Sequence, residues 1–244
     1  MRIWDIHPGY LDRQRLLGEH RELHGLVVVH MEGRRGYAAH PETKRWKDCL
    51  GALAVRHGWL VAEMTLRGYR HRSPLPIPPN PARWPKFLDA PGAQVALLRA
   101  KYAGVTTERI PLPEHPQHAW AQHKYSVLAR EPNAYRELGR RMTQARQEDL
   151  LAVMDELTLL LRQPPTPGGV QNAVEHMWGH VRRHATPKEV QQAKGSISAM
   201  LHLTQKLAQR NAEVYLLHST ALSEMAFWIV YYQMAAEEGG RTDA

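Results

Sequence analysis

The sequence predicts an all-α protein of two domains, and three observations carry that prediction. Apolar residues recur at helical spacing, as with Leu16, Leu23, Leu26 and Val27 near the start and Leu150, Met154, Leu157 and Leu161 further on. Helix starts are written with their chemistry: Pro41 with Glu42 behind it, Pro91-Gly92, and Thr186-Pro187-Lys188-Glu189, which has a threonine cap, proline at N1 and glutamate at N3. A proline-marked stretch at 105–116, with Pro111, Pro113 and Pro116, separates a basic part from a neutral one. Residues 1–110 hold 18 Lys plus Arg against 10 Asp plus Glu, and the remainder holds 14 of each, so the whole net charge of +8 lies in the first part. The expected division is 1–110 and 111–244.

The first helix follows the turn at Pro8-Gly9, starts near Tyr10 and buries Leu11, Leu16, Leu23, Leu26 and Val27. Val27-Val28-Val29 continues its periodicity to Glu32-Gly33. A second face carries Gln14, Gly18, Glu22 and Gly25, so two glycines flank a carboxylate. Glycine inside a helix costs roughly 1 kcal/mol relative to alanine, which fits either close helix packing or a bulky ligand approaching there. The loop Gly33-Arg34-Arg35-Gly36 reads as a phosphate contact or an ordinary turn.

From Pro41, Trp46, Leu50, Leu53 and His57 make one apolar face, with Gly58 a point of kinking or division and Gly68 a stop. Cys49 reads as a small buried hydrophobe and His57 as a core or boundary residue. Six prolines between Arg70 and Pro85 exclude regular structure there. A third helix from Pro91-Gly92 turns Val95, Leu98 and Tyr102 inward and ends at Gly104.

Beyond the boundary, the helix of Leu150 to Leu161 ends at Gln163-Pro164-Pro165. Asn172, His176, His180 and His184 then recur every four residues. That line has metal-ligand spacing, but it spans about 18 Å at 1.5 Å per residue, so at most two neighbours share one ion. A polar packing face or phosphate contacts fit it better, and no metal is assigned. The helix after Thr186 runs towards Arg210, the last helix carries Leu216 to Tyr232, and residues 237–244 are expected to be disordered.

The 43% hydrophobic and 23% charged composition is that of a globular protein, with no eighteen-residue apolar run, so a cytoplasmic protein without a membrane partner is expected. One cysteine excludes an internal disulfide and a multi-cysteine metal site. Walker, dinucleotide and HExxH signatures do not occur, and no cofactor is expected. Basic charge gathered in one domain is the footprint of a polyanion partner.

Met1-Arg2-Ile3 with Arg21-Glu22-Leu23 resembles the pyrimidine-dimer DNA glycosylases of the phage endonuclease V type. The likeness continues through Gly33-Arg34-Arg35, Ala62-Glu63-Met64 and Arg67-Gly68-Tyr69, over roughly the first 105 residues. It implies a three-helix domain that binds damaged double-stranded DNA. In that family the chain's own α-amine attacks C1′ of the lesion, and a glutamate on the first helix stabilises the cationic sugar and moves protons during β-elimination. Amines of this class have reference pKa values of about 7.7–8.0, so a useful fraction is nucleophilic near neutrality. The resemblance makes Met1 and Glu22 the candidate catalytic pair, and Arg2, Gln14, Arg21, Arg34, Arg35 and Lys101 the candidate DNA contacts.

Three positions depart from the family pattern. Met1 stands where the family exposes a threonine, and with arginine second Met1 is expected to be retained. Gly25 stands in place of an arginine, and Arg15 in place of a histidine. Around His123-Lys124-Tyr125, Tyr135 to Arg140 and Pro165 to Gly179, residues 118–190 resemble the YbgA-like domain of unknown function. Two further readings stay open: a nucleic-acid-binding protein whose active site has lapsed, and an enzyme acting on modified nucleobases or RNA through the second domain.

Overall fold

The structure, a computed structural model, describes residues 1–35, 37–102 and 108–242, the last five of these by backbone alone. Gly36 and Gly104, to which the sequence assigns a loop and a helix end, lie outside the described residues, as does the start of the expected boundary at 105–107. Among the described residues the regular elements are helices, in two compact units, Met1–Leu112 and Pro113–Ala244. No described helix is long and apolar enough to cross a membrane.

The first unit begins with an irregular arm, residues 1–12, whose Ile3, Trp4, Ile6, Tyr10 and Leu11 are buried. Pro8–Tyr10 forms one 3-10 turn, so the first helix starts later than Tyr10. It is α1, Arg13–Glu32, capped by Asp12, whose carboxylate accepts from the Arg15 amide at 2.7 Å. Gly33 closes it with φ at +64°. The next apolar face is two helices, α2 Pro41–Trp46 and α3 Leu50–Leu66. The division falls at residues 47–49, where Lys47 and Cys49 donate to the carbonyls of Lys44 and Trp46, and α3 passes through Gly58 unbroken. Gly68, at φ +83°, ends α3, with the Tyr69 amide returning to the Met64 carbonyl. Residues 69–90 hold no helix, as their prolines require, and α4 is Pro91–Lys101, with Tyr102 at its C-terminal cap.

In the second unit, α5 (Pro116–Leu128) packs against α6 (Pro132–Met142), α7 (Leu150–Leu161), α8 (Pro167–Val181) and α12 (Ala221–Thr242). Gly169 is required where α8 starts, because a Cβ there would lie 1.9 Å from the Ala129 carbonyl oxygen at the end of α5. Between them, α9 (Pro187–Ala193), α10 (Ile197–Arg210) and α11 (Val214–Leu217) complete the unit. Thr186 and Glu189 form the expected capping box. The two long helices expected after it are each interrupted: Ser196 recaps α10, and α12 starts afresh at Ala221. That last helix runs to Thr242, so residues 237–242 are helical where disorder was expected. Arg130 holds helix ends together, donating to the carbonyls of Ser126, Leu161 and Gln163 and pairing with buried Glu224.

Candidate active site

The arm brings the Met1 α-amine to 3.7 Å from Glu22 Oε1, while the Arg2 amide donates to Glu22 Oε2 at 2.6 Å. One carboxylate oxygen thus fixes the arm and the other faces the amine. Glu22 is 39% exposed and Met1 11%, so the pair sits at a surface opening rather than in the core. It lines a cleft of about 620 Å³, together with Arg2, Gln14, Arg21 and Lys101. Six of the eight residues singled out in the sequence are therefore gathered at one opening. Arg34 and Arg35 are exposed near the end of α1 and do not line it, and Arg34 pairs with Glu32 at 2.7 Å.

The glycines beside Glu22 face open space: a Cβ on Gly18 or Gly25 would meet nothing within 4 Å. Gly18 lines the 620 Å³ cleft, and Gly25 lines a smaller recess of about 270 Å³ on the other side of Met1 and Glu22, with Tyr37 and Thr43. Close helix packing does not account for them. Of the cations at the larger opening, Arg2 pairs with Asp89 at 2.5 Å and lies over the Trp4 ring, and Arg15 pairs with Asp12. Among the described residues Arg21 and Lys101 have no carboxylate partner, so they can bind an incoming anion without breaking a pair.

Sequence reasoning missed the groups that hold the arm. Arg56 reaches from α3 to donate to Glu19 at 2.8 and 2.9 Å and to the Ile6 carbonyl at 2.7 Å. Arg67 donates to the carbonyls of Leu11 at 2.8 Å and Gly9 at 3.1 Å. Gln94 accepts from the Asp5 amide, and Arg45 clamps the Asp5 carboxylate at 2.8 and 3.1 Å. The Tyr102 hydroxyl donates to the Tyr10 carbonyl and accepts from the Asp12 amide. An irregular segment can be buried only if its backbone polar groups find partners, and here Arg56 on α3, Gln94 on α4, and Arg67 and Tyr102 at the ends of those helices supply them. Glu63 serves the same scaffold: burial works to raise its pKa, but Arg109 at 2.6 Å and Arg67 at 2.7 Å outweigh that and hold it well below the usual carboxylate range. The motifs Ala62-Glu63-Met64 and Arg67-Gly68-Tyr69 were visible in the sequence, but not their pairing.

The histidine line of the second unit does not converge. His176 and His180 lie on α8, His184 falls in a following 3-10 turn, and His180 is hydrogen-bonded to the Tyr125 hydroxyl at 2.6 Å. That unit has instead an open groove of about 650 Å³ lined by Trp120, Tyr135, Lys124, Arg136 and Arg140. The Trp120 and Tyr135 rings are 5.4 Å apart.

Comparison with curated proteins and with solved structures gives no match. Two family models do match, one in each unit. The first stops at residue 76, short of the 105 expected, so the position of Lys101 at the cleft stands on geometry alone. The chain thus joins a segment similar to the pyrimidine dimer DNA glycosylase family, residues 1–76, to one similar to the protein of unknown function family DUF1722, residues 124–225.

Proposed function

We propose that the first unit is a DNA glycosylase with abasic-site lyase activity on pyrimidine dimers or a related base lesion, using the Met1 α-amine as nucleophile. The observation that carries this reading is the amine 3.7 Å from Glu22 at the edge of a cation-lined cleft. Attack of the amine on C1′ breaks the bond to the base, which leaves with the bonding pair. The attacking nitrogen passes its proton to Glu22, which hands it on to O4′ as the sugar ring opens to a C1′ imine, leaving Glu22 again a carboxylate. Glu22 stabilises the developing positive charge and then takes the C2′ proton, so that β-elimination expels the 3′ phosphate. Water hydrolyses the imine and frees the amine. Arg2, Gln14, Arg21 and Lys101 hold the flanking strand, and a distorted lesion lowers the few-kcal/mol cost of extruding a nucleotide. Arg34 and Arg35 contact DNA away from the cleft.

In the second unit, two rings and three cations in one groove suit a nucleobase stacked beside its phosphate, which supports a nucleic-acid-binding role for that unit.

The test is borohydride trapping on dimer-containing duplex, with the amino-terminal residue identified by intact mass. The native chain is expected to form a trapped adduct. An uncleaved amino-terminal extension moves the amine by several residues and removes both trapping and base release, because even a 1 Å misplacement costs about 100-fold. A carboxy-terminal tag changes neither. Trapping at the native rate by the extended chain would assign the nucleophile to an internal lysine.

A further inference from the structure

The face of α1 turned away from Glu22 carries a second cluster. His20 and His24 lie one turn apart on α1, His57 comes from α3, and His71 from the helix-free segment after it. Each offers a ring nitrogen, and these nitrogens all lie within 4.8 Å of one another. The rings are 4.7–5.1 Å apart between centroids, from His20 to the other three and from His57 to His24 and His71. Nε2 of all four is buried without a hydrogen-bond partner. A buried polar atom left unpaired costs about 1–3 kcal/mol, and four in one place are unexplained by packing alone.

Burial holds His20, His24 and His57 towards the neutral form, the one that binds metal. Burial first, then the neighbouring histidines, pushes His57 down to about 3 and His20 to about 4, and His24 is lowered by burial and by His71. In a tetrahedral zinc site with Zn–N of about 2.0–2.1 Å, ligand nitrogens are about 3.3 Å apart, so a modest contraction of the cluster completes it.

We propose that His20, His24, His57 and His71 form a closed four-imidazole site for a structural zinc ion, which ties the proline-rich segment to α1 and α3. Four ligands converging from three segments suit tetrahedral zinc better than the tetragonal preference of Cu(II) or Ni(II), and they leave no position for substrate. His20 and His24 stand two residues either side of Glu22, about 200° around the helix from it. The ion therefore fixes the rotation of α1 that presents Glu22 to the amine, and the four histidines are positioning residues. The site stands whether or not the amine is the nucleophile.

The full chain, without a histidine tag and purified without chelator, is expected to carry one zinc per chain by elemental analysis. Cobalt substitution should give the visible absorption of a tetrahedral centre. His71→Asn, in the helix-free segment, should keep the helical circular dichroism yet weaken zinc at least ~10-fold in chelator competition. Chelator should lower the Tm of the parent but not of that variant. His176→Asn/His180→Asn, in the second unit, should retain full stoichiometry. A parent that takes up neither zinc nor cobalt overturns the site. So does equal retention of metal by His71→Asn and His57→Asn, or loss of metal in the second-unit variant alone.

Discussion

Replacing Arg56 by methionine separates the stability of the first unit from the placement of its amine. Arg56 and the Glu19 carboxylate are almost wholly buried, at 1% and 0% exposure, and their fork-to-fork contact is joined by the Ile6 carbonyl on the third guanidinium nitrogen. Methionine matches the aliphatic stem but leaves a buried carboxylate without its cation, a change that costs about 3–5 kcal/mol. Against a typical domain stability of about 5–15 kcal/mol, this lowers Tm by at least about 12 °C for a unit of this size. The pH dependence has a defined sign. Burial already raises the Glu19 pKa, Arg56 pulls it back, and without Arg56 the folded value rises further. A group raised in the folded state favours folding below its unfolded pKa and loses that contribution as pH rises through the folded value, so the Arg56→Met deficit should be larger at pH 8 than at pH 5.

Arg56→Met/Glu19→Leu removes the stranded charge and should recover most of the stability, because an apolar pair of similar volume is often equivalent to a buried ion pair. It does not restore the tether on Ile6. The double variant is therefore expected to unfold in urea near the parent midpoint while base release falls about 100-fold, the cost of an ångström at the reacting atom. A deficit under about 1 kcal/mol in Arg56→Met at pH 8 would refute the reasoning. So would a double variant no more stable than the single one.

Glu22→Gln keeps the shape of the side chain and removes its charge, so single-turnover strand cutting should be lost while binding to damaged duplex is kept; cutting at the parental rate ends the assignment. Residues 1–112 should bind DNA with a steep salt dependence, and Arg21→Ala/Lys101→Ala should flatten the log–log slope by up to about 2, measured by fluorescence anisotropy. In the second unit, burial, assisted by Arg130, lowers the pKa of His123 from 6.5 to about 4. A depressed histidine pKa means that the unfolded chain takes up the proton first, so urea unfolding of residues 113–244 should show about 3 kcal/mol of stability present above pH 6.5 and lost towards pH 4. His123→Phe should remove most of that slope.

What was legible in the sequence is local chemistry. The Thr186–Glu189 box, the glycines that end α1 and α3 and the proline-filled segment each act within a few residues, and each stands where it was expected. Glu22 and Arg2 were legible through a motif, and the cleft gathers Gln14, Arg21 and Lys101 beside them. The breaks at 47–49, 194–196 and 218–220 were not, because the apolar spacing resumes after each one and the cause lies in tertiary packing. The histidine cluster was hidden for a related reason. Only His20 and His24 are at helical spacing, whereas His57 and His71 join them through the packing of α1 on α3 and the course of the chain after it. The histidine ladder of the second unit is regular in the sequence, yet a line along one helix cannot converge on a point.

The same packing changes how the basic charge of the first unit is read. Arg45, Arg56, Arg67 and Arg109 are four of its eighteen cations, and none of them lines the cleft. Their side chains, those of Arg45 and Arg56 buried and those of Arg67 and Arg109 nearly so, pair with Asp5, Glu42, Glu19 and Glu63. Four cations and four carboxylates cancel, so these pairs leave the whole excess of +8 to the rest of the unit. Counting arginines overstates how many can touch phosphate but does not overstate the field. Arg56 and Arg67 satisfy backbone carbonyls of the arm, which sets the amine, and in the proposed reaction the remaining excess would draw in the polyanion that the amine attacks. Arg67→Lys and Arg21→Lys are thus unlike changes. The first removes planar donors from several arm carbonyls and Glu63 at once, whereas the second keeps a cation at the cleft. Arg67→Lys should lower both Tm and the rate of base release at unchanged DNA affinity, and Arg21→Lys should leave all three close to the parent.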